Sequence, residues 1–176
     1  MNATSARIAH LSDAEVLRVA LWFFDQEREK RDDELANARL KDLASEDIIA
    51  DFNAAIRAQG LESLEPSPEP TVLAAVLRDL LIARAEKQPE EVAEVMRGLG
   101  MEAGGDLIEV FSQHFSYIPI ILVLLRGFEF ELKRGPGTRW QLRIKSGFPP
   151  ELLNVIAKLT GSRSVLPDSN RQNHRD

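Results

Sequence analysis

Residues 128–145 read FEFELKRGPGTRWQLRIK, and this stretch decides the fold class. Apolar and charged residues alternate on both sides of a Gly-Pro-Gly turn, which is the pattern of two half-buried strands joined as a hairpin. With the turn at 134–138, the predicted cross-strand pairs are Leu132 with Trp140, Phe130 with Leu142, Phe128 with Ile144, and Glu129 with Arg143. All apolar side chains then share one face. Because an isolated hairpin is marginal in water, we expect the last helix, over 150–159, to cover that face.

The stretch before the hairpin, 118–125, is wholly apolar. Its Pro119 favours the first turn of a short buried helix that ends at Gly127, and a buried strand is the alternative. We expect this stretch to lie in the core. The alternative is an exposed patch for a partner, which Phe148 and residues 165–166 would extend.

Helical patterns begin near the N-terminus, where Ser12 and Glu15 have the spacing of a capping box. An apolar stripe follows at helical spacing, and the aliphatic parts of Arg28 and Arg31 extend it. The extended stripe predicts one helix of about 30 residues. A second helix is predicted from Ser45 to Gly60. We expect the two to pair as an acidic helical hairpin over residues 1–60.

Three prolines in residues 61–70 predict a linker, or alternatively a tight crossing within one domain. Beyond it, 71–161 is expected to form an α+β domain that contains the hairpin 128–145. Its helical segments are predicted over 72–81, 89–99 and 106–118, and before and after the hairpin. The polar residues 162–176 predict a disordered tail. The predicted fold class is therefore mainly α within α+β, with about six helices and one two-stranded antiparallel hairpin near the C-terminus.

Composition limits the possible functions. The 176 residues include no cysteine, which excludes disulfides, thiolate metal sites and a cysteine nucleophile. The longest apolar run is much shorter than the roughly 20 residues that cross a bilayer, and residues 1–10 are too polar for a signal peptide. These features predict a cytoplasmic protein without a membrane partner.

Charge is distributed unevenly along the chain. Residues 1–125 contain 12 Lys and Arg against 23 Asp and Glu, whereas residues 126–176 contain 10 against 5. Such a chain can hold its two halves together electrostatically, or offer its basic end to an anionic partner.

Residues suited to catalysis are few. Of the histidines, His10, His114 and His174, only His114 has an ordered, apolar sequence context, and it lacks metal-ligand spacing. The glycines in 98–105 follow a predicted helix and lack the ending of a phosphate loop. We therefore expect no catalytic residue, cofactor or metal, although an enzyme that uses carboxylates alone stays open.

Basic residues gather at the hairpin. The candidate binding residues are Lys133, Arg134, Arg139, Arg143 and Lys145. The leading hypothesis is a non-enzymatic interaction, regulatory or adaptor module that binds another protein or a second copy of itself. The alternative is a winged-helix-like DNA-binding regulator that uses the hairpin as its wing. Its additional DNA contacts would be Ser112, Gln113 and Arg126, but the apolar stretch before the hairpin does not resemble a recognition helix.

Overall fold

One long helix, α4, lies at the centre of the fold. The computed structural model describes residues 1–38, 46–65, 68–98, 117–125 and 127–161. These residues form seven α-helices and two strands: α1 (Ala3–Ala9), α2 (Asp13–Glu29), α3 (Glu46–Ala58), α4 (Pro70–Lys87), α5 (Pro89–Gly98), α6 (Ile118–Leu124), β1 (Phe130–Arg134), β2 (Trp140–Ile144) and α7 (Pro150–Thr160). The predicted class is confirmed, with slightly more helices than expected. The predicted helix over 106–118, except its end, and the predicted tail 162–176 lie outside the described residues.

Helix α4 is buried along most of its length because five other helices contact it. α1 and α2 pack on it from the N-terminal part of the chain, and α5, α6 and α7 pack on it from the C-terminal part. The sequence predicts that residues 1–60 form a helical hairpin of their own. In the structure, α2 packs most extensively on α4 and α6, whereas α3 packs most extensively on β2. Residues on both sides of 61–70 share one hydrophobic core, and the domain division at 61–70 stays a prediction.

The connection that follows α3 is fixed by side-chain hydrogen bonds. The Asn53 amide accepts the Leu64 N–H at 2.7 Å and donates to the Leu64 carbonyl at 3.0 Å. The Tyr117 hydroxyl donates to the Glu65 carbonyl at 2.9 Å. Leu64 itself is buried. The side chains of Asn53 and Tyr117 therefore hold the end of this segment, residues 64–65, against the rest of the fold.

Helix α2 begins as predicted but ends early. The Ser12 hydroxyl accepts the Glu15 N–H, and the Glu15 carboxylate accepts the Ser12 N–H at 2.7 Å, which completes the capping box. The expected helix of about 30 residues is wrong, because α2 ends at Glu29. Asp33 caps a separate 3₁₀ turn, Glu34–Asn37, by accepting the Leu35 N–H at 3.2 Å. An aspartate that bonds to a nearby backbone N–H offers the chain an alternative to helix, and that alternative is taken here.

The apolar stretch before the hairpin, 118–125, forms a helix, which the sequence favoured over a strand. α6 begins with proline in its first turn and buries all of its side chains except the half-buried Val123. Tyr117 and Leu125, on either side of α6, are also buried. The described part of this stretch therefore belongs to the core and leaves no exposed apolar patch.

The hairpin forms with its apolar face as predicted, but in a different register. Phe130 lies opposite Ile144, Leu132 opposite Leu142, and Arg134 opposite Trp140, so the predicted register is wrong by two residues. The loop between the last paired residues is 135–139, one residue later than the predicted turn. Within it the Gly135 N–H donates to the Arg139 carbonyl at 2.7 Å around a 3₁₀ turn with Gly137 at φ 78°. Since side chains alternate with period two, a shift of two residues keeps the apolar side chains on one face.

The main cover of the hairpin differs from the prediction. β2 packs most extensively on α3, and β1 packs on the 3₁₀ turn 34–37, whereas α7 packs mainly on α4. The Lys158 ammonium on α7 pairs with the Asp79 carboxylate on α4. The expectation that the last helix covers the hairpin is not met, because α3 supplies both an apolar face and the carboxylates that hold β2.

Candidate functional site: the basic hairpin

The five predicted binding residues divide into two groups on the hairpin. Lys133, Arg143 and Lys145 project from the outward face, and all three are exposed. The side chain of Arg134 instead packs on Trp140 of the same hairpin, and Arg139 pairs with α3. We call the first three residues the outward cations. The structure thus brings together three of the five predicted residues on one free surface.

The outward cations are interleaved with carboxylates. Lys133 Nζ lies 3.1 Å from Glu131 Oε1, and Lys145 Nζ lies 3.5 Å from Glu131 Oε2. The hydrogen bond from Lys133, together with the charge of Lys145, holds the pKa of the Glu131 carboxyl below its ordinary value. Arg143 lies opposite Glu131 across the strands, and Glu129 is exposed just before β1. This face carries three cations and two carboxylates, which is a mixed pattern with a small positive excess.

Arg139 is held by helix α3. Its Nε lies 3.2 Å from Asp47 Oδ1, and its Nη2 lies 3.5 Å from Asp51 Oδ1. Asp51 Oδ2 also accepts the Leu142 N–H at 3.0 Å, which is the N–H that points away from β1. The acidic helix therefore caps the free edge of β2, and this basic residue serves the attachment of the hairpin.

Arg134 lies on the apolar face at the tip of the hairpin. Its guanidinium carbon is 5.7 Å from the centre of the Trp140 ring, which is within cation–π range. Its backbone N–H donates to the Glu34 carboxylate of the 3₁₀ turn. The second contact ties the hairpin to the acidic N-terminal part of the chain. Together with the pairs of Arg139 with Asp47 and Asp51, it satisfies part of the charge asymmetry within the chain.

The additional residues of the DNA-binding alternative, Ser112, Gln113 and Arg126, lie outside the described residues, as does His114. The helix directly before the hairpin, α6, is described and is buried in the core. A recognition helix must present polar side chains to a groove. α6 therefore cannot fill that role.

Sequence reasoning missed Arg84, whose side chain is only 8% exposed. It donates to both oxygens of Glu91 at 3.0 to 3.2 Å and to Glu27 Oε1 at 3.2 Å. Its guanidinium carbon also lies 4.7 Å from the centre of the Phe23 ring. Arg84 follows Leu77, Leu80 and Leu81 at helical spacing, so it stands within the buried stripe of α4. A charged residue in such a stripe is rarely buried unless paired, and that signal was available in the sequence.

No protein-family model, curated protein or solved structure matches this chain. None of the helices that the structure describes is long and apolar enough to cross a membrane. Within the described ranges, no group of three or more His, Asp or Glu side chains is arranged to hold a metal ion.

Proposed function

We propose that this chain is a non-enzymatic interaction module that binds another protein through the outward face of its hairpin. The observation that supports the proposal is the arrangement of charge on that face. Lys133, Arg143 and Lys145 stand exposed around Glu131, on two strands whose edge is fixed to α3. The backbone beneath these side chains is held in place by contacts other than the outward ones.

A mixed pattern of charge favours a protein partner over nucleic acid. A nucleic-acid backbone is uniformly negative, and a protein that binds it gains affinity from each cation that neutralises a phosphate. Here two carboxylates lie among the three outward cations, and Arg139 is already neutralised by Asp47 and Asp51. A surface that carries both positive and negative side chains instead selects protein partners whose charges complement it, and it repels surfaces with like charges at those positions. The hairpin is therefore better suited to a protein surface, on another protein or a second copy of this chain, than to a DNA groove.

The test is a capture experiment with variants that are matched in charge. The outward triple variant carries Lys133→Gln, Arg143→Gln and Lys145→Gln. The control triple variant carries Arg7→Gln, Lys87→Gln and Arg97→Gln, three exposed cations on α1, α4 and α5, none of which packs extensively on the hairpin. Each tagged protein is incubated with lysate of the source organism, with and without nuclease.

The proposal predicts a nuclease-resistant protein that is retained by the wild type and the control triple and lost by the outward triple. Retention by all three proteins would contradict it. Loss of the bound material after nuclease treatment would favour the DNA-binding alternative. Self-association is measured separately by sedimentation velocity, where a second copy as partner predicts a concentration-dependent dimer that the outward triple does not form.

A further inference from the structure

A cleft on another side of the fold carries an inference that is independent of the hairpin surface. It has a volume of about 370 Å³ and lies between α2, the junction of α4 and α5, the end of α6 and the start of β1. Its polar wall consists of Glu27, Lys30, Arg31, Arg84, Gln88 and Glu91. Phe128 and Phe130 also line the cleft, although both side chains are buried. This size is at the lower end of the range for small-molecule sites.

The carboxylates of the cleft already have partners. Glu27 Oε1 accepts hydrogen bonds from Lys30 Nζ at 2.7 Å and from Arg84 Nη2 at 3.2 Å. Both oxygens of Glu91 accept from Arg84. These hydrogen bonds fix the Arg84 guanidinium in place, and its contact with the Phe23 ring restricts it further. The acids therefore position the cation.

Two guanidinium groups keep an uncommitted donor. Arg84 uses Nε and Nη2, and its Nη1 makes no hydrogen bond to any described residue. Arg31 uses Nε and Nη2 on Asp33, and Nη2 also donates to the Phe130 carbonyl at 2.6 Å. The Nη1 of Arg31 likewise has no partner among the described residues. The Arg31 guanidinium is held against the Phe130 ring, whose centre is 4.4 Å away.

We propose that this cleft binds a small organic molecule that carries an oxyanion, either a carboxylate or a phosphate, through Arg84 and Arg31. Guanidinium donors match the geometry of both anions, and donors that are fixed before binding lose little entropy when the anion arrives. Lys30 adds a third cation at the mouth of the cleft. The exposed surface of the cleft is mostly polar, so the ligand that fits is small and polar itself.

The nearby carboxylates determine how the site should respond to salt. Glu27, Glu91 and Asp33 balance much of the positive charge, so the long-range attraction for anions is small. Affinity must then come from directed hydrogen bonds at short range, which salt screens less than it screens attraction between exposed charges. Binding should therefore persist at moderate ionic strength, unlike adsorption of anions to exposed lysines.

The test is an NMR titration of the full-length protein with inorganic phosphate and, separately, with succinate at constant ionic strength. We expect saturable shifts at the Arg84 Nε–H and at backbone amides around the cleft, such as Gly127. Arg31→Gln should raise the dissociation constant about tenfold or more, as expected for loss of a charge-assisted hydrogen bond. Arg7→Gln removes an exposed guanidinium that does not line the cleft and should leave the constant unchanged.

The comparison of the two anions identifies the oxyanion that the cleft prefers. The absence of saturable shifts with both anions would overturn the proposal, as would equal affinity in wild type and Arg31→Gln. Shifts spread over all basic residues would do the same. If Arg31→Gln does not fold, the location of the wild-type shifts decides the question, because shifts that avoid Arg84 contradict the assignment.

Discussion

The attachment of the hairpin to α3 allows a prediction in which hydrogen bonding and ion pairing can be separated. Asp51 makes two contacts, with the Leu142 N–H at 3.0 Å and with Arg139 Nη2 at 3.5 Å. The Arg139 side chain is 53% exposed, so its pairs with Asp51 and Asp47 should contribute only about 0 to 1 kcal/mol. The Leu142 N–H is bonded to a carboxylate that is 27% exposed, and such a bond is typically worth about 1.5 to 3 kcal/mol.

We therefore expect Asp51→Ala to lower the free energy of unfolding by about 2 kcal/mol, because the variant loses an acceptor and leaves the Leu142 N–H unpaired. In a chain of this size that loss corresponds to a fall in Tm of about 4 to 8 °C. Arg139→Gln should cost no more than about 1 kcal/mol. Asp51→Asn keeps an acceptor for the Leu142 N–H and should lie between wild type and Asp51→Ala.

The assay is urea unfolding followed by circular dichroism, at low and high salt. The loss caused by Asp51→Ala should change little with salt, whereas the small loss caused by Arg139→Gln should disappear. If Arg139→Gln proves as destabilising as Asp51→Ala, the reasoning is refuted, because ion pairing rather than the backbone hydrogen bond would then hold the edge of β2.

Three further predictions concern the helices. Arg84→Met should lower the free energy of unfolding by about 1.5 to 3 kcal/mol in urea, because Glu27 and Glu91 lose the buried cation that they share, while the exposed control Arg97→Met should change it by less than about 0.5 kcal/mol. Ser12→Ala removes the cap of α2 and should cost about 1 kcal/mol, with the exposed Ser63→Ala as control in the same assay. Burial acts to raise the pKa of the Glu27 carboxyl, but Lys30 and Arg84 outweigh it and hold that pKa below the ordinary value of 4.5. The stabilisation from Glu27 is therefore complete above pH 4.5 and is lost as the pH falls through the folded-state pKa, so Glu27→Gln should show a shallower loss of stability on acidification than wild type.

Local sequence signals predicted the elements of this fold better than their contacts. The Ser12 capping box and the alternation of residues 128–145 each depend on neighbours in sequence, and both are confirmed. The register of the hairpin was wrong because alternation is blind to a shift of two residues, and only the tight loop around Gly137 distinguishes the two possibilities. The early end of α2 depends on Asp33, whose capping of the next turn competes with continuation of the helix.

The candidate site shows the same division between local and distant information. The sequence located the basic residues of the hairpin, but it could not show that Asp47 and Asp51 of α3 lie beside Arg139. That contact joins residues about 90 positions apart, so no local pattern reports it. The sequence also could not predict that α3 rather than α7 is the main cover of the hairpin. Both helices have a suitable apolar face, and only distant contacts distinguish them.

The most direct test of the proposed function is the dissociation constant of the captured partner for the wild type, the outward triple and the control triple, measured over a range of salt concentrations. The account predicts that the outward triple binds at least about tenfold more weakly and with a shallower dependence on salt, while the control triple stays within about twofold of wild type. Equal weakening in both triples would show that only net charge matters, and it would contradict the assignment of the hairpin face as the binding surface.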